Sequence, residues 1–271
     1  MKKDKFMPLS FSSLKAFYKS PKEFLAYKER TLKETPAMRT GTLVHLLVLE
    51  PHLFPKQYAI FKGARRAGKE WTSFVEKYGE KRTIIYTSEF EEANKIAQAV
   101  KEHPIAQLLI KSCNKFEQQI NSKFEGIELK GFVDAYCKTH IIDLKTCMDA
   151  NPVKFNSVAY DSLYNLQAAI YKTALTKGSY KVNKNADYFI IAVEKSEPYH
   201  VSVLRAKLDF MNRGKELLER LIEDFKEWDG SNIGYEWKFK QDVFDLDIPY
   251  WIKNKTEENL QQNGNIVKRK I

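Results

Sequence analysis

Cysteine is scarce in this 271-residue chain: only Cys113, Cys137 and Cys147 occur. An odd count with no C-x-x-C pair argues against a disulfide framework and fits a reducing cytoplasm. Three thiols also cannot supply the four of an iron–sulfur cluster, so none is expected. Long apolar runs are missing too. The longest, Leu43 to Leu49, is interrupted by His45 and is too short to cross a bilayer, so no membrane partner is expected. The charged start Met1-Lys2-Lys3-Asp4-Lys5 is followed by no apolar stretch, which speaks against a signal peptide. There is no internal repeat and no low-complexity segment. These absences leave a cytoplasmic globular protein of one large domain, or of one domain with an appendage.

What the chain does have is positive charge. It carries 45 Lys+Arg against 35 Asp+Glu, a formal +10, which favours a polyanionic partner such as nucleic acid. Residues 62–82 concentrate it in Lys62, Arg65, Arg66, Lys69, Lys77, Lys81 and Arg82, and read as a mobile loop with a short helix that can line a DNA channel. Hydrophobic content of 43% is ordinary for a soluble domain.

The pattern starts with helices. Ser12 or Ser13 can cap one through Tyr18, and Ser20-Pro21-Lys22-Glu23 reads as an N-cap, a first-turn proline and an acidic first turn. Residues 31–40 read as loop, and 41–50 as an apolar helix stopped by Pro51. Ser88 with Glu91 makes a capping-box pattern for a helix to Lys101, and a second piece runs from Pro104 to Cys113. Strands are expected at 115–124, 127–137 and 140–146, then a loop to about Tyr160. A helix capped by Asp161 should run to Lys177 and end at Gly178. Strands at 186–193 and 199–204 and an amphipathic helix at 207–228 follow. Helices, a hairpin, a helix and more strands imply a mixed α/β (α+β) domain around one central sheet. Residues 1–228 read as that domain and 229–271 as a C-terminal extension with a polar end. Trp237, Phe239, Tyr250 and Trp251 are expected to form a patch that pins the extension to the core, the alternative being stacking on unpaired bases.

Chemistry concentrates in Lys130-Gly131-Phe132-Val133-Asp134-Ala135-Tyr136 and Ile141-Ile142-Asp143-Leu144-Lys145-Thr146. Asp143 and Lys145 are two apart and share a strand face, to which a paired strand can bring Asp134. Two carboxylates and a lysine at one point suit a divalent metal and a phosphate: hard cations take carboxylate oxygens, neutralise phosphate charge and acidify water. Gln167 and Tyr171, four apart on a helix, share a face and can bond a phosphate or orient the lysine. Their bland alternative is an ordinary helix surface. His45 reads as a core histidine unless its imidazole completes the metal site. Glu117, on the strand before the hairpin, is a further acidic candidate.

Taken together, these pieces resemble the PD-(D/E)xK nuclease superfamily in its RecB-like branch, most of all the phage and prophage exonuclease VIII (RecE-type) nuclease domain. Phe11-Ser12-Ser13-Leu14 with Ser20-Pro21 resembles the N-terminal helix pair of that group. Gly41-Thr42-Leu43-Val44-His45 with Leu49-Glu50-Pro51 is similar to its most specific signature. Gly131, Asp134, Asp143-Leu144-Lys145-Thr146 and Gln167 with Tyr171 match the rest, covering about residues 8–205. The resemblance implies a restriction-endonuclease-like core with a central mixed sheet flanked by helices. It implies His45, Asp134, Asp143 and the Leu144 carbonyl as ligands of Mg²⁺ or Mn²⁺, and Lys145 as the catalytic lysine. Gln167 and Tyr171 would support the lysine or contact DNA. Ser12, Ser13, Arg65, Arg66 and Lys69 are the DNA-binding candidates. The implied activity is 5′→3′ digestion of linear duplex DNA, leaving 3′ single strands for phage-type recombination. A single-strand annealing protein would be its partner, and a homo-oligomer its state. The alternatives are a structure- or sequence-specific endonuclease on the same fold, a nuclease with an iron–sulfur cluster, and a non-catalytic DNA-binding protein.

Overall fold

A computed structural model describes residues 7–29, 35–177 and 180–230. The extension expected at 229–271, with its four aromatic residues, lies almost wholly outside the described residues, as does Gly178.

Helices α1 (Phe11–Lys19) and α2 (Pro21–Glu29) open the chain. Ser10, not Ser12 or Ser13, is the N-cap of α1, and Ser20 caps α2 by accepting the Glu23 N–H. Helix α3 (Pro36–Leu49) starts before the expected Gly41, because Thr35 accepts the Met38 N–H and Pro36 has its φ preset for a first turn. A 3-10 turn (Pro51–Leu53) and the short α4 (Phe54–Gln57) lead to β1 (Tyr58–Phe61). Helix α5 (Gly68–Tyr78) occupies half of the segment expected to be mostly loop, and β2 (Thr83–Tyr86) pairs in parallel with β1. Neither of these two strands is expected from the sequence. Helix α6 (Thr87–Glu102) is capped through Tyr86 and Glu89, three residues apart like the expected Ser88–Glu91 pair but two residues earlier. Helix α7 (Pro104–Ser112) follows.

The main sheet has five strands in the order β3 (Lys115–Phe124), β4 (Ile127–Tyr136), β5 (His140–Cys147), β6 (Asp187–Glu194), β7 (Val201–Arg205). Only β5 and β6 run parallel, so the sheet is mixed. Between them lie α8 (Pro152–Asp161), where a loop is expected, and α9 (Tyr164–Lys177). Asn151 accepts the N–H groups of Val153 and Lys154, and Pro152 follows it; together they start α8. Asp161 is therefore the last residue of α8 rather than a cap of α9. Helix α10 (Leu208–Glu227) closes the described chain. No described helix is long and apolar enough to cross a membrane.

Each face of the sheet is buried. One core packs α1, α2, α9 and α10 on Ile120, Leu129, Val133, Ile141 and Ile190. The other packs α3 and α6 on Ala135, Ile142, Leu144, Ile191 and Val193. Along β5 the alternation is regular: Ile141 faces the first core, and Ile142 and Leu144 the second. Along β4 it breaks. Val133 faces the first core, yet Ala135, two residues on, faces the second. The break falls at Asp134.

Candidate metal centre

The β4–β5 hairpin turns through Lys138 and Thr139, and only Ala135↔Ile142 and Tyr136↔Ile141 pair before the strands separate. Cys137 N–H donates to the His140 carbonyl. Hydrogen-bonded pairs alternate along such a ladder, so Ala135/Ile142 and then Val133/Leu144 should be the next ones. Instead the Leu144 N–H donates to Asp134 Oδ2 at 2.6 Å. A carboxylate has replaced a backbone carbonyl, which holds the strands apart and fixes Asp134 in the gap.

Across the other edge of β4, Gln118↔Val133 and Phe116↔Ala135 pair, but Glu117 and Asp134 between them do not. Glu117 has φ 42°, in the left-handed region that a residue with a Cβ seldom occupies. That conformation interrupts the alternation of β3, as Asp134 does that of β4. Strain of this kind, roughly 1–3 kcal/mol, persists where the surroundings over-determine it, and it gathers at functional sites.

Helix α3 places His45 over the break. Its Nδ1 is 3.4 Å from Glu117 Oε1 and 3.7 Å from Asp134 Oδ1. The candidate ligand atoms of His45, Glu117 and Asp134 all lie within 4.8 Å of one another. Burial works against the charged imidazole, but Asp134 and Glu117 outweigh it and push the His45 pKa up to about 9. Burial raises the pKa of Asp134 despite His45 and Lys145.

Asp143 sits outside that triplet. Its Oδ1 accepts from Lys145 Nζ at 2.7 Å and from Gln167 Nε2 at 3.2 Å. Its Oδ2 is buried without a hydrogen-bond partner among the described residues, as are Glu117 Oε1 and Gln167 Oε1. Burial pushes the Asp143 pKa up to about 6, against the pull of Lys145. Lys145 stays charged: burial opposes its ammonium, yet Asp143 and Asp134 raise its pKa above the ordinary value. Three carboxylates and an imidazole thus converge, with unpartnered acceptors on Glu117 and Asp143 and with burial raising the pKa of Asp134 and Asp143. A divalent cation held by the His45 imidazole and by oxygens of Glu117, Asp134 and Asp143 would give the Glu117 and Asp143 acceptors a partner and offset the burial of the carboxylates, so the residues fit such an ion.

Gln167 and Tyr171 of α9 are buried rather than on a helix surface. Gln167 Nε2 also donates to Tyr171 Oη at 3.0 Å, so the pair props Asp143 and makes no hydrogen bond to Lys145. Gly131 makes room for this: a Cβ there would stand 2.8 Å from the Tyr171 ring.

The DNA-binding candidates fare unequally. Ser13 is fully buried, and its hydroxyl accepts from Ser10 N–H and donates to the Ser10 carbonyl. It is a capping residue, which corrects the expectation. Ser12, Arg65 and Lys69 are exposed. Arg66 stacks on Tyr86 at 4.5 Å and pairs with Glu89 at 3.0 Å, so it is already engaged. Lys15 escapes the sequence reading; its pKa is lowered by burial, then by Lys19 and Lys145, which places its charge near the site. A cleft of about 390 Å³ opens beside His45 and Glu117, with Glu50, Gln57 and Phe132 also in its wall. Phe132 is 57% exposed there. Glu50 lies inside the quoted signature, whereas no pattern in the sequence points to Gln57 or Phe132.

Residues 10–233 match the family model of a PDDEXK-like domain of unknown function, DUF3799. Comparison with curated protein sequences gives no match. Among solved structures, a candidate exonuclease from Eubacterium rectale superposes with a TM-score of 0.61 at 12% identity, covering 93% of this chain and 94% of its own. A phage-related exonuclease from Haemophilus somnus 129PT, at 14% identity over 80% of this chain and 92% of its own, reaches a TM-score of only 0.33. The first shares the fold; the second carries no argument.

Proposed function

The chain belongs to the PDDEXK-like family, and from that premise we propose that it is a divalent-metal-dependent deoxyribonuclease acting on the ends of linear duplex DNA. The observation that carries this reading is the partly buried cluster of His45, Glu117, Asp134 and Asp143, with unpartnered carboxylate oxygens, beside a lysine that stays charged. A bound Mg²⁺ or Mn²⁺ would supply Lewis-acid neutralisation of the phosphate and a more acidic water.

The protein's own groups do the rest. Lys145 is held protonated by Asp143, so it serves as a cation and hydrogen-bond donor to the developing charge on phosphorus, not as a base. Gln167 fixes Asp143 Oδ1 and leaves Oδ2 free to face a cation. Glu117 joins His45 and Asp134 as a ligand that would hold the cation. In-line attack then leaves a 5′-phosphate and a 3′-hydroxyl. Lys15, Ser12, Arg65 and Lys69 offer donors for the backbone of the duplex.

The description of the Eubacterium rectale protein as a candidate exonuclease supports the end-directed part. The 5′→3′ polarity, supply of 3′ tails to an annealing protein and a homo-oligomeric state extend the proposal from the sequence resemblance. Digestion of linear duplexes labelled at the 5′ or the 3′ end, with Mg²⁺ or EDTA, tests it. Early release of the 5′ label, an intact closed circle and an inert Lys145→Ala variant are expected. Cutting of the circle would make it an endonuclease, and no metal-dependent cleavage would leave a DNA-binding protein.

A further inference from the structure

At the closed end of the same hairpin, a second cluster has a different chemistry. Cys137 and His140 flank the two-residue turn as C-x-x-H, and Cys113 reaches them from the C-cap of α7. The ligand atoms of all three lie within 4.8 Å of one another. All three cysteines of the chain are free thiols, and Cys147 stands apart with its Sγ on the Val193 carbonyl.

We propose that Cys113, Cys137 and His140 form a structural site for a soft divalent cation, Zn²⁺, which clips the turn of the β4–β5 hairpin to the end of α7. Zn²⁺ takes sulfur at about 2.3 Å and imidazole nitrogen at about 2.0–2.1 Å, so tetrahedral ligation separates S and N by about 3.6 Å. His140 Nε2 lies 3.4 Å from Cys113 Sγ and 3.8 Å from Cys137 Sγ, bracketing that value, and Cys137 Sγ is 3.3 Å from Nδ1 of the same ring. The fourth corner falls to Ser112 Oγ, 3.2 Å from the same nitrogen, or to water.

The surroundings allow the proton bookkeeping. Without an ion, Nε2 carries its hydrogen toward the Leu109 carbonyl at 3.1 Å. Ligation moves the hydrogen to Nδ1, where Thr139 Oγ1 at 3.2 Å accepts it and orients the ring. Each thiol yields its proton to solvent as it binds, which a cation makes favourable even for Cys113, whose pKa burial and Cys137 push up to about 12. The donor set of two sulfurs and one nitrogen selects Zn²⁺, whereas the His45 centre presents carboxylate oxygens and one imidazole suited to Mg²⁺ or Mn²⁺. This site stands whether or not the chain cleaves DNA.

The test uses the full chain, reduced and stripped with EDTA, titrated with Co²⁺. Thiolate-to-cobalt charge-transfer absorption in the near ultraviolet should saturate at about one ion per chain and be displaced by Zn²⁺. It should be unchanged in Asp134→Asn and Cys147→Ser, and weakened in Cys137→Ser, which alters a half-buried turn residue and so spares the fold if Cys113→Ser does not. Cobalt spectra with only weak oxygen- and nitrogen-ligand bands would overturn the proposal. So would a charge-transfer band undiminished in Cys137→Ser.

Discussion

Asp143 of β5 and Glu194 of β6 are buried carboxylates on adjacent, paired strands, 1% and 9% exposed. Glu194 has every oxygen engaged. Oε1 accepts the Ala150 N–H at 3.0 Å, and Oε2 accepts the His200 N–H and faces His200 Nδ1 at 3.0 Å. The Ala150 hydrogen bond above all holds its pKa below the usual carboxylate value. Asp143 is pushed the other way, to about 6, with Oδ2 unpartnered among the described residues. Burial therefore does not distinguish a carboxylate that holds the fold from one that awaits a cation. The number of satisfied lone pairs does, because each orphaned acceptor keeps its desolvation cost.

Substitution at the two sites should separate these roles. Asp143→Asn and Lys145→Ala should each lower duplex cleavage by on the order of 10³-fold, the equivalent of several kcal/mol of lost charge stabilisation, in single-turnover assays. Gln167→Ala removes the donor that props Asp143 and should cost roughly 10–100-fold in metal affinity or rate, with the Mg²⁺ titration curve displaced to higher concentration. Glu194→Gln should leave cleavage near wild type and lower unfolding stability by about 1–3 kcal/mol, since its new NH₂ meets donors on His200. If Glu194→Gln instead abolishes cleavage without destabilising the chain, the comparison fails.

A smaller effect concerns pH. In the metal-free protein His45 has its pKa raised from 6.5 to about 9. A raised pKa means that the folded state holds the proton more tightly. Its stabilisation is full below about pH 6.5 and disappears as pH rises through 9. The difference in melting temperature between wild type and His45→Gln, in EDTA, should shrink over that window. A difference that grows with pH would show the charges around His45 to be misassigned.

Much of this was legible in the sequence. The hairpin strands, the shared face of Asp143 and Lys145, and Gln167 with Tyr171 follow from spacing of two and four. His45 becomes meaningful only through the quoted signature. What stayed hidden depends on long-range pairing or on a single dihedral angle. The strands β1 and β2 are four residues each, too short to show alternation, and their parallel partners lie far along the chain. The role of Glu117 rests on its positive φ, which no periodicity announces. Ser13 looked available for DNA because a cap at Ser10 and one at Ser12 or Ser13 read alike in sequence. The C-x-x-H spacing of Cys137 and His140 carries no reading by itself in the sequence, because the third ligand, Cys113, joins them only through the fold.

The most direct measurement is anomalous scattering from crystals soaked in Mn²⁺. The account predicts a peak in the gap between β4 and β5, within about 2–2.5 Å of the His45 imidazole and of oxygens from Asp134 and Asp143. Crystals that bind Mn²⁺ only elsewhere, or not at all, would contradict it.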